Sequence, residues 1–260
     1  MRCVTPNGKP SAPTWWMSAS IGLVFALSGM MIQVDLPGLA RSPGPLATFV
    51  GRMWVAPDFS YLPRLAALTL ETVVIAFVAT VASCLLSFPI SLLAARNCTP
   101  HPVVGWLLKA VASIFRAVPD LLVALVLASA LGLGNVPGVL ALVTASVAYL
   151  VKAYADALEV TGKNPVEGVA ASGGGWLAQR TVGVVPQAAP DLLGLSLYAM
   201  DSNLRSASFL GAVGAGGIGF DLAAAVRHFQ FDRLGAMILS IFLSVSLVDA
   251  LSSHLRRRIG

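Results

Sequence analysis

A polar, glycine-rich segment at residues 160–186 separates two long apolar stretches of the chain. It carries three charged residues, Lys163, Glu167 and Arg180. In a chain built for lipid, a charge is costly unless water or another protein receives it. Small residues beside the glutamate would let a partner approach the backbone closely. We therefore predict that another protein docks on this segment.

A glycine run at residues 211–219 is a second candidate for chemistry. It lacks the Lys and Ser/Thr of the G-x-x-x-x-G-K-[ST] phosphate loop, a motif found nowhere in this sequence. The run also follows a predicted membrane span and not a strand, which argues against a dinucleotide-binding turn. The chain is therefore not expected to hydrolyse ATP, and any energy must come from a separate ATPase.

The glycine run has two compatible interpretations. In the first, small residues allow transmembrane helices to pack closely. In the second, bare backbone N–H groups face a passing oxyanion. The glycines assigned to that second role are Gly214, Gly216 and Gly217.

The composition places the chain among membrane proteins. It is 57% hydrophobic and 11% charged, with a mean hydropathy of +0.81, whereas a soluble domain has roughly 25% charged residues. Its apolar runs reach about 20 residues, the length of a helix that crosses a bilayer. These runs lack the alternation of a barrel strand. We expect an all-α membrane protein, a polytopic bundle of about six transmembrane helices.

The predicted spans are separated by polar, glycine-rich or proline-rich connections. They cover residues 15–34, 68–93, 119–133, 138–158, 183–212 and 234–253. The first has an alternative, a cleaved signal peptide, because Arg2 and Lys9 precede the run and Gly38-Leu39-Ala40 resembles a cleavage site. We expect a cytoplasmic tail at 1–14 and a membrane domain at 15–260. Its outer loop, 35–66, contains a predicted short interfacial helix in LATFVGRMWVAP.

The basic residues predict the orientation of the chain. An N-terminus in the cytoplasm places the basic residues of the 94–102 loop, of segment 160–180 and of the triplet Arg256 to Arg258 inside, as the positive-inside rule requires. The net charge of +5 therefore marks a membrane face. Nucleic acid is not expected as a partner, because the other basic residues are scattered.

Several motifs carry a family resemblance. Glu167, Gly173 and Pro186 have the spacing of the EAA loop in permease subunits of bacterial ABC importers, although Gly168 stands where Ala is usual and Val185 where Leu is usual. Four further segments, from about residue 45 to the C-terminus, resemble the phosphonate-type branch of that family in the same order. They are residues 56–60, 69–97, 116–142 and 203–219.

The resemblance implies an ABC importer permease fold in which segment 160–180 forms a short coupling helix. In that family the helix inserts into a cleft on the ATPase subunit. The implied contact residues are Glu167, Gly168, Ala170, Ala171, Gly173 and Pro186. Gly174 and Gly175 each cost a helix about 1 kcal/mol relative to Ala, so we expect the helix to end there.

The resemblance also implies a function. The chain would be the permease subunit of an ATP-driven importer for a small phosphorus oxyanion (phosphonate, phosphite or phosphate), in the bacterial cytoplasmic (inner) membrane. Its implied partners are a second copy or a paralogue, an ATPase dimer that holds the ATP and Mg²⁺, and an extracytoplasmic substrate-binding protein. No metal or other cofactor is expected on this chain. The alternatives are a permease of the same superfamily for another small solute, such as an amino acid, and an ion-coupled secondary transporter.

Polar residues inside the fifth predicted span are the candidates for a translocation path. Arg205 would lend positive potential to a path for the oxyanion, with Asn203 and Ser206 as polar lining. The structural alternative is an ion pair between Asp201 and Arg205, which are four residues apart on one helix face.

Overall fold

The computed structural model describes residues 15–31, 38, 42–53 and 61–259, and their regular structure is helical without strands. The predicted cytoplasmic tail at 1–14 lies outside the described residues, as do 32–37, 39–41 and 54–60. Residues 1–52 and 53–260 form two compact units.

The first unit contributes helix α1 (Trp15–Met31) and nearly all of helix α2 (Pro43–Met53). Helix α1 covers 17 described residues, at the lower end of the roughly 17–25 residues that span a bilayer. Helix α2 overlaps the short helix predicted in LATFVGRMWVAP and begins three residues before it.

Three helices of the second unit are long and apolar enough to cross a membrane. They are α3 (Leu62–Ala94), α6 (Asn135–Glu159) and α10 (Phe231–Ile259). Helix α3 starts at Leu62, inside the predicted outer loop 35–66. The helix begins before the predicted span 68–93 because Pro63 is well suited to the first turn of a helix.

The other crossings are bent. Helices α4 (Pro102–Arg116) and α5 (Asp120–Leu131) meet at 80°. Helix α8 (Val185–Leu210) follows a helical turn at Trp176–Ala178 and a π-helical turn at Gln179–Val184, and it is bent by 47° from α9 (Ile218–Arg227). If each bent pair is one crossing, the described residues hold five candidate spans, besides the shorter α1. The predicted polytopic bundle is confirmed, but residues 119–133 are not a complete span.

Small residues let the long helices pack closely. The buried positions of α3 are mostly small residues, which include Thr72, Ala76, Ala79, Thr80, Ser83, Ser87 and Ser91, with Leu65 and Ile75 as the large ones. These small residues face α6, whose buried positions include Gly138 and Ala141, and this pair of helices has the most extensive contact in the second unit. The hydroxyls of Thr80 and Ser83 donate to carbonyls of their own helix, so their O–H donors are satisfied within α3.

One buried amide joins three helices. Asn203 on α8 accepts a hydrogen bond from the Ser146 hydroxyl of α6 (2.7 Å) and donates to the Thr80 hydroxyl of α3 (2.9 Å). Ser146 and Thr80 lie near the middle of their helices. This part of α8 is therefore at mid-height in the bundle.

Candidate functional site

The polar segment folds into helix α7, Asn164–Ala171, with Pro165 in its first turn. The helix stops at Ser172, and Gly173 follows with a φ of +81°, a left-handed conformation that favours glycine. The N–H of Gly174 then donates to the carbonyl of Val169 at 2.9 Å. The helix therefore ends immediately before Gly174 and Gly175, as expected.

The candidate coupling residues lie on an open surface. Helix α7 has no buried residue, and Glu167, Gly168, Ala170 and Ala171 are all exposed. Gly173 is exposed just beyond the helix. Pro186 is exposed in the first turn of α8, and so belongs to a different element. The surface of α7 is a small-residue face with one carboxylate at its edge.

Only one side of α7 is held by the bundle. Val166 is half-buried and packs against the hydrophobic core formed by α3, α6 and α8. Gly183 in the π-helical turn lies directly beneath it, since a Cβ at Gly183 would be 3.0 Å from Val166 Cα. Helix α7 therefore packs directly on the π-helical turn.

Polar contacts fix the chain just before α7 to neighbouring helices. Glu159, the last residue of α6, accepts from Lys109 Nζ at 2.6 Å and from the Arg96 N–H at 2.8 Å. The Gly162 N–H donates to the side chain of Gln187 in α8 at 3.1 Å. These contacts tie the chain that leads into α7 to α4 and α8.

A cavity of about 310 Å³ lies beside α7 and is lined by Glu159, Lys163, Glu167 and Arg180. The Arg180 guanidinium stacks over the Trp176 ring at 5.8 Å, and its buried Nε contacts no hydrogen-bond acceptor among the described residues. Nearby, burial raises the pKa of the Cys98 thiol, although the charge of Arg180 acts in the opposite direction.

The second group of candidates lies on α8. Asp201 Oδ2 is 2.6 Å from Arg205 Nη1, so the ion pair foreseen from their spacing is confirmed. The Asp201 side chain is 8% exposed and that of Arg205 is 46% exposed. Ser206 is half-buried. Asn203 is buried and joins α8 to α3 and α6, so its amide faces the interior of this chain.

Helix α8 exposes charged and polar side chains together with two large apolar ones, Leu193 and Phe209. Asp191, Tyr198 and Arg205 are exposed and follow one another at intervals of seven residues, which places them on one helix face. The exposed large side chains of α3 and α10 are instead apolar. They include Leu70, Val74, Phe77 and Leu85 on α3, and Ile238, Phe242, Leu243 and Leu247 on α10. The exposed faces of α3 and α10 suit lipid, whereas the exposed side chains of α8 include two charges, Asp191 and Arg205, that need water or a partner.

A cavity of about 700 Å³ continues the α8 face toward its N-terminal end. Its lining includes Tyr149, Asp156, Asp191, Tyr198 and Arg256. The two tyrosine rings are 5.7 Å apart. The sequence did not predict this cavity, because its walls come from three helices that are distant in the chain.

The glycine run forms a tight turn between α8 and α9. Gly214, Gly216 and Gly217 have φ of +91°, +79° and +69°, which L side chains rarely adopt. A Cβ at these positions would overlap Leu133, Asn135 and Thr72 respectively. The Gly214 carbonyl accepts from the Gly134 N–H at 2.8 Å. These contacts agree with the packing interpretation, and the oxyanion role of the glycines stays a prediction.

A polar cluster that the sequence did not predict joins the start of α3 to α9. Asp221 accepts from Arg64 Nε at 2.8 Å, from Arg64 Nη2 at 3.1 Å and from the Tyr61 hydroxyl at 3.1 Å. The Arg233 guanidinium lies over the Tyr61 ring at 5.2 Å. Burial and the nearby Asp221 charge raise the pKa of Tyr61. Asp221 and Arg64 are 157 residues apart, so no local spacing could have indicated their pairing.

The sequence is similar to those of several known permease proteins. The chain is 38% identical over 248 residues to the phosphate-import permease protein PhnE of Mycolicibacterium smegmatis, covering 90% of this chain and 46% of that protein. It is 32% identical over 248 residues to the phosphite transport system permease protein PtxC of Stutzerimonas stutzeri, covering 94% of this chain and 90% of that protein. The chain thus spans about half the length of the mycobacterial relative and most of the second.

Solved structures share the fold at low sequence identity. The inward-facing MetNI methionine ABC transporter matches with a TM-score of 0.69 and 16% identity, over 78% of this chain and 99% of that chain. An amino acid ABC transporter solved with histidines matches with a TM-score of 0.61 and 17% identity, over 78% and 100% of the two chains. Residues 87–260 also match the family model of the binding-protein-dependent transport system inner membrane component. The chain is therefore a multi-pass membrane protein with an ABC transporter permease fold, and it belongs to this family.

Proposed function

We propose that this chain is the membrane-spanning subunit of an ATP-driven importer for a small phosphorus oxyanion. The relatives named above are permeases for phosphate and phosphite, and a third, from Escherichia coli, is a putative cryptic phosphonate transport permease protein. The observation that carries the proposal is the exposed Arg205 cation on α8, at mid-height in the bundle.

The α8 face supports a translocation path between two permease subunits. A charged side chain in a membrane segment is tolerated where it faces water or a partner, and Arg205 is 46% exposed in the isolated chain. A second copy or a paralogue that covered this face would enclose Arg205 and the cavity beneath it. The buried Asn203 then holds the lining helix in place and does not itself contact the substrate.

The open surface of α7 supports docking of a separate ATPase that holds ATP and Mg²⁺. Glu167 and the small residues around it would enter the ATPase cleft, and the bonds to Glu159 and Gln187 would carry the motion to the long helices. A substrate-binding protein would deliver the oxyanion at the opposite face. The assembly would lie in the bacterial cytoplasmic membrane.

Uptake into proteoliposomes tests the path. The permease, its ATPase and its binding protein are reconstituted together, and uptake of phosphate, phosphite and methylphosphonate is measured with and without ATP. We expect ATP-dependent uptake of at least one anion. In Arg205→Ala we expect the uptake rate to fall about tenfold or more, which corresponds to a loss of about 1.4 kcal/mol. Arg227→Ala, an exposed arginine at the end of α9, is the matched control. Unchanged uptake in Arg205→Ala would refute the path.

Charge reversal at the coupling surface tests the docking. In Glu167→Arg we expect loss of ATPase co-purification and of transport, because the exposed carboxylate would be replaced by a cation. Lys163→Glu reverses a charge just before α7 and serves as the control, with a smaller effect. Full transport by Glu167→Arg, or uptake driven by a proton or sodium gradient without ATP, would contradict the proposal.

A further inference from the structure

We infer that Asp201 is a built-in competitor for Arg205, which keeps the binding of the oxyanion at the guanidinium weak enough for release. The inference rests on the proposed function, since it assigns a role to the counter-ion of the proposed path residue. Asp201 is a positioning residue in this scheme. It acts on the substrate through Arg205 and does not contact it.

The geometry leaves Arg205 open to a second anion. Its recorded ion-pair contact is a single one, from Nη1 to Asp201 Oδ2 at 2.6 Å. A guanidinium has five N–H donors, so most of its donor capacity remains for a ligand. Nearly half of the Arg205 side chain is exposed, whereas the Asp201 side chain is almost wholly buried. An oxyanion on the α8 face therefore reaches the cation from one side while the carboxylate holds it from the other.

Asp201 is not arranged as a stabilising ion pair would be. Its Oδ1 is buried and receives no hydrogen bond from the described residues. A buried carboxylate contributes to stability only when its lone pairs are satisfied and its geometry is good. A half-satisfied carboxylate in a helix bundle calls for another explanation, and modulation of the neighbouring cation provides one.

The electrostatic consequence concerns release. A conducting site must bind its ion strongly enough to admit it and weakly enough to let it leave. Two bare guanidiniums facing one path would attract a phosphorus oxyanion strongly in a poorly hydrated site. With Asp201 beside each Arg205, the pair is formally neutral. The Asp201 carboxylate also pairs again with the Arg205 guanidinium as the oxyanion departs.

Phosphate binding to the detergent-purified permease–ATPase complex tests the inference. The apparent Kd for ³²P-labelled inorganic phosphate is measured by equilibrium dialysis for wild type, Asp201→Asn and Asp201→Glu. Asp201→Asn keeps the shape and removes the charge, and we expect its Kd to fall at least about tenfold. Tenfold corresponds to about 1.4 kcal/mol. Asp201→Glu keeps the charge and should retain the wild-type Kd.

The outcomes separate this inference from the proposed function. A tenfold lower Kd in Asp201→Asn that disappears in the double variant Asp201→Asn/Arg205→Ala supports it. An unchanged or higher Kd in Asp201→Asn overturns it, even where Arg205→Ala abolishes uptake and the path stands. If Asp201→Asn does not co-purify with the ATPase, Asp201→Ser provides the second neutral variant. Unchanged uptake in Arg205→Ala defeats the proposed function itself.

Discussion

The close contact between Gly183 and Val166 allows a test of whether transport depends on the packing of α7 against the π-helical turn. Gly183 is buried in the π-helical turn that precedes α8. A Cβ at this position would be 3.0 Å from Val166 Cα, 3.3 Å from its backbone N and 3.3 Å from its Cγ2. Two of these three atoms belong to the backbone, so a side chain at residue 183 cannot be accommodated by a rotamer change of Val166. Helix α7 itself must move.

The magnitude follows from these distances. Gly183→Ala requires a shift of a few tenths of an ångström, and Gly183→Val adds two methyl groups beyond that Cβ. Added carbons in a well-packed site cost typically 1–3 kcal/mol, which corresponds to a factor of roughly 5–30 or more in an equilibrium constant. Because α7 has no buried residue of its own, we expect this strain to be relieved by displacement of the coupling surface.

The assay compares uptake, ATP hydrolysis and ATPase affinity in the reconstituted complex. We expect Gly183→Ala to lower uptake about fivefold and Gly183→Val about thirtyfold, with weaker ATPase binding and a permease that still inserts and folds. Gly175→Ala is the control, because it lies in the same segment and a Cβ there contacts nothing within 4 Å. Wild-type uptake and ATPase affinity in Gly183→Val would refute the argument that Gly183 lets α7 pack on the π-helical turn.

Three further predictions concern the bundle. Asn203→Leu removes the bonds to Ser146 and Thr80 and should lower the free energy of unfolding by about 1–3 kcal/mol, seen as an earlier midpoint in detergent denaturation; an unchanged midpoint would contradict it. Gly219→Ala places a Cβ 2.2 Å from the Ser208 carbonyl oxygen and should destabilise the α8–α9 turn, whereas Gly194→Ala, with nothing within 4 Å, should not, as thermal unfolding of the two variants would reveal. Because burial raises the pKa of the Cys98 thiol, a C3S/C84S variant should react slowly with maleimide at pH 7 and faster as the pH rises above about 8.5; rapid labelling at pH 7 would show that the thiol is accessible and ionised.

The sequence alone predicted the class and the approximate crossings, and it predicted where the short helix α7, implied by the family resemblance, ends. Local properties suffice for these features. Apolar length indicates a span, and the two consecutive glycines, Gly174 and Gly175, indicate a helix terminus. The ion pair of Asp201 and Arg205 was also predictable, since residues four apart share a helix face. The start of α3 at Leu62, before the predicted apolar span, follows from a proline in its first turn.

Only the tertiary structure decided which polar residues face outward and which are structural. Asn203 and Arg205 are two residues apart in one apolar stretch, yet the first is buried in a three-helix contact and the second is exposed. Two other features likewise depend on segments brought together by folding. They are the cluster of Tyr61, Arg64 and Asp221 and the packing of α7 on Gly183. The physical reason is that burial depends on how whole helices are rotated against their neighbours, which packing over the full bundle determines and local spacing does not.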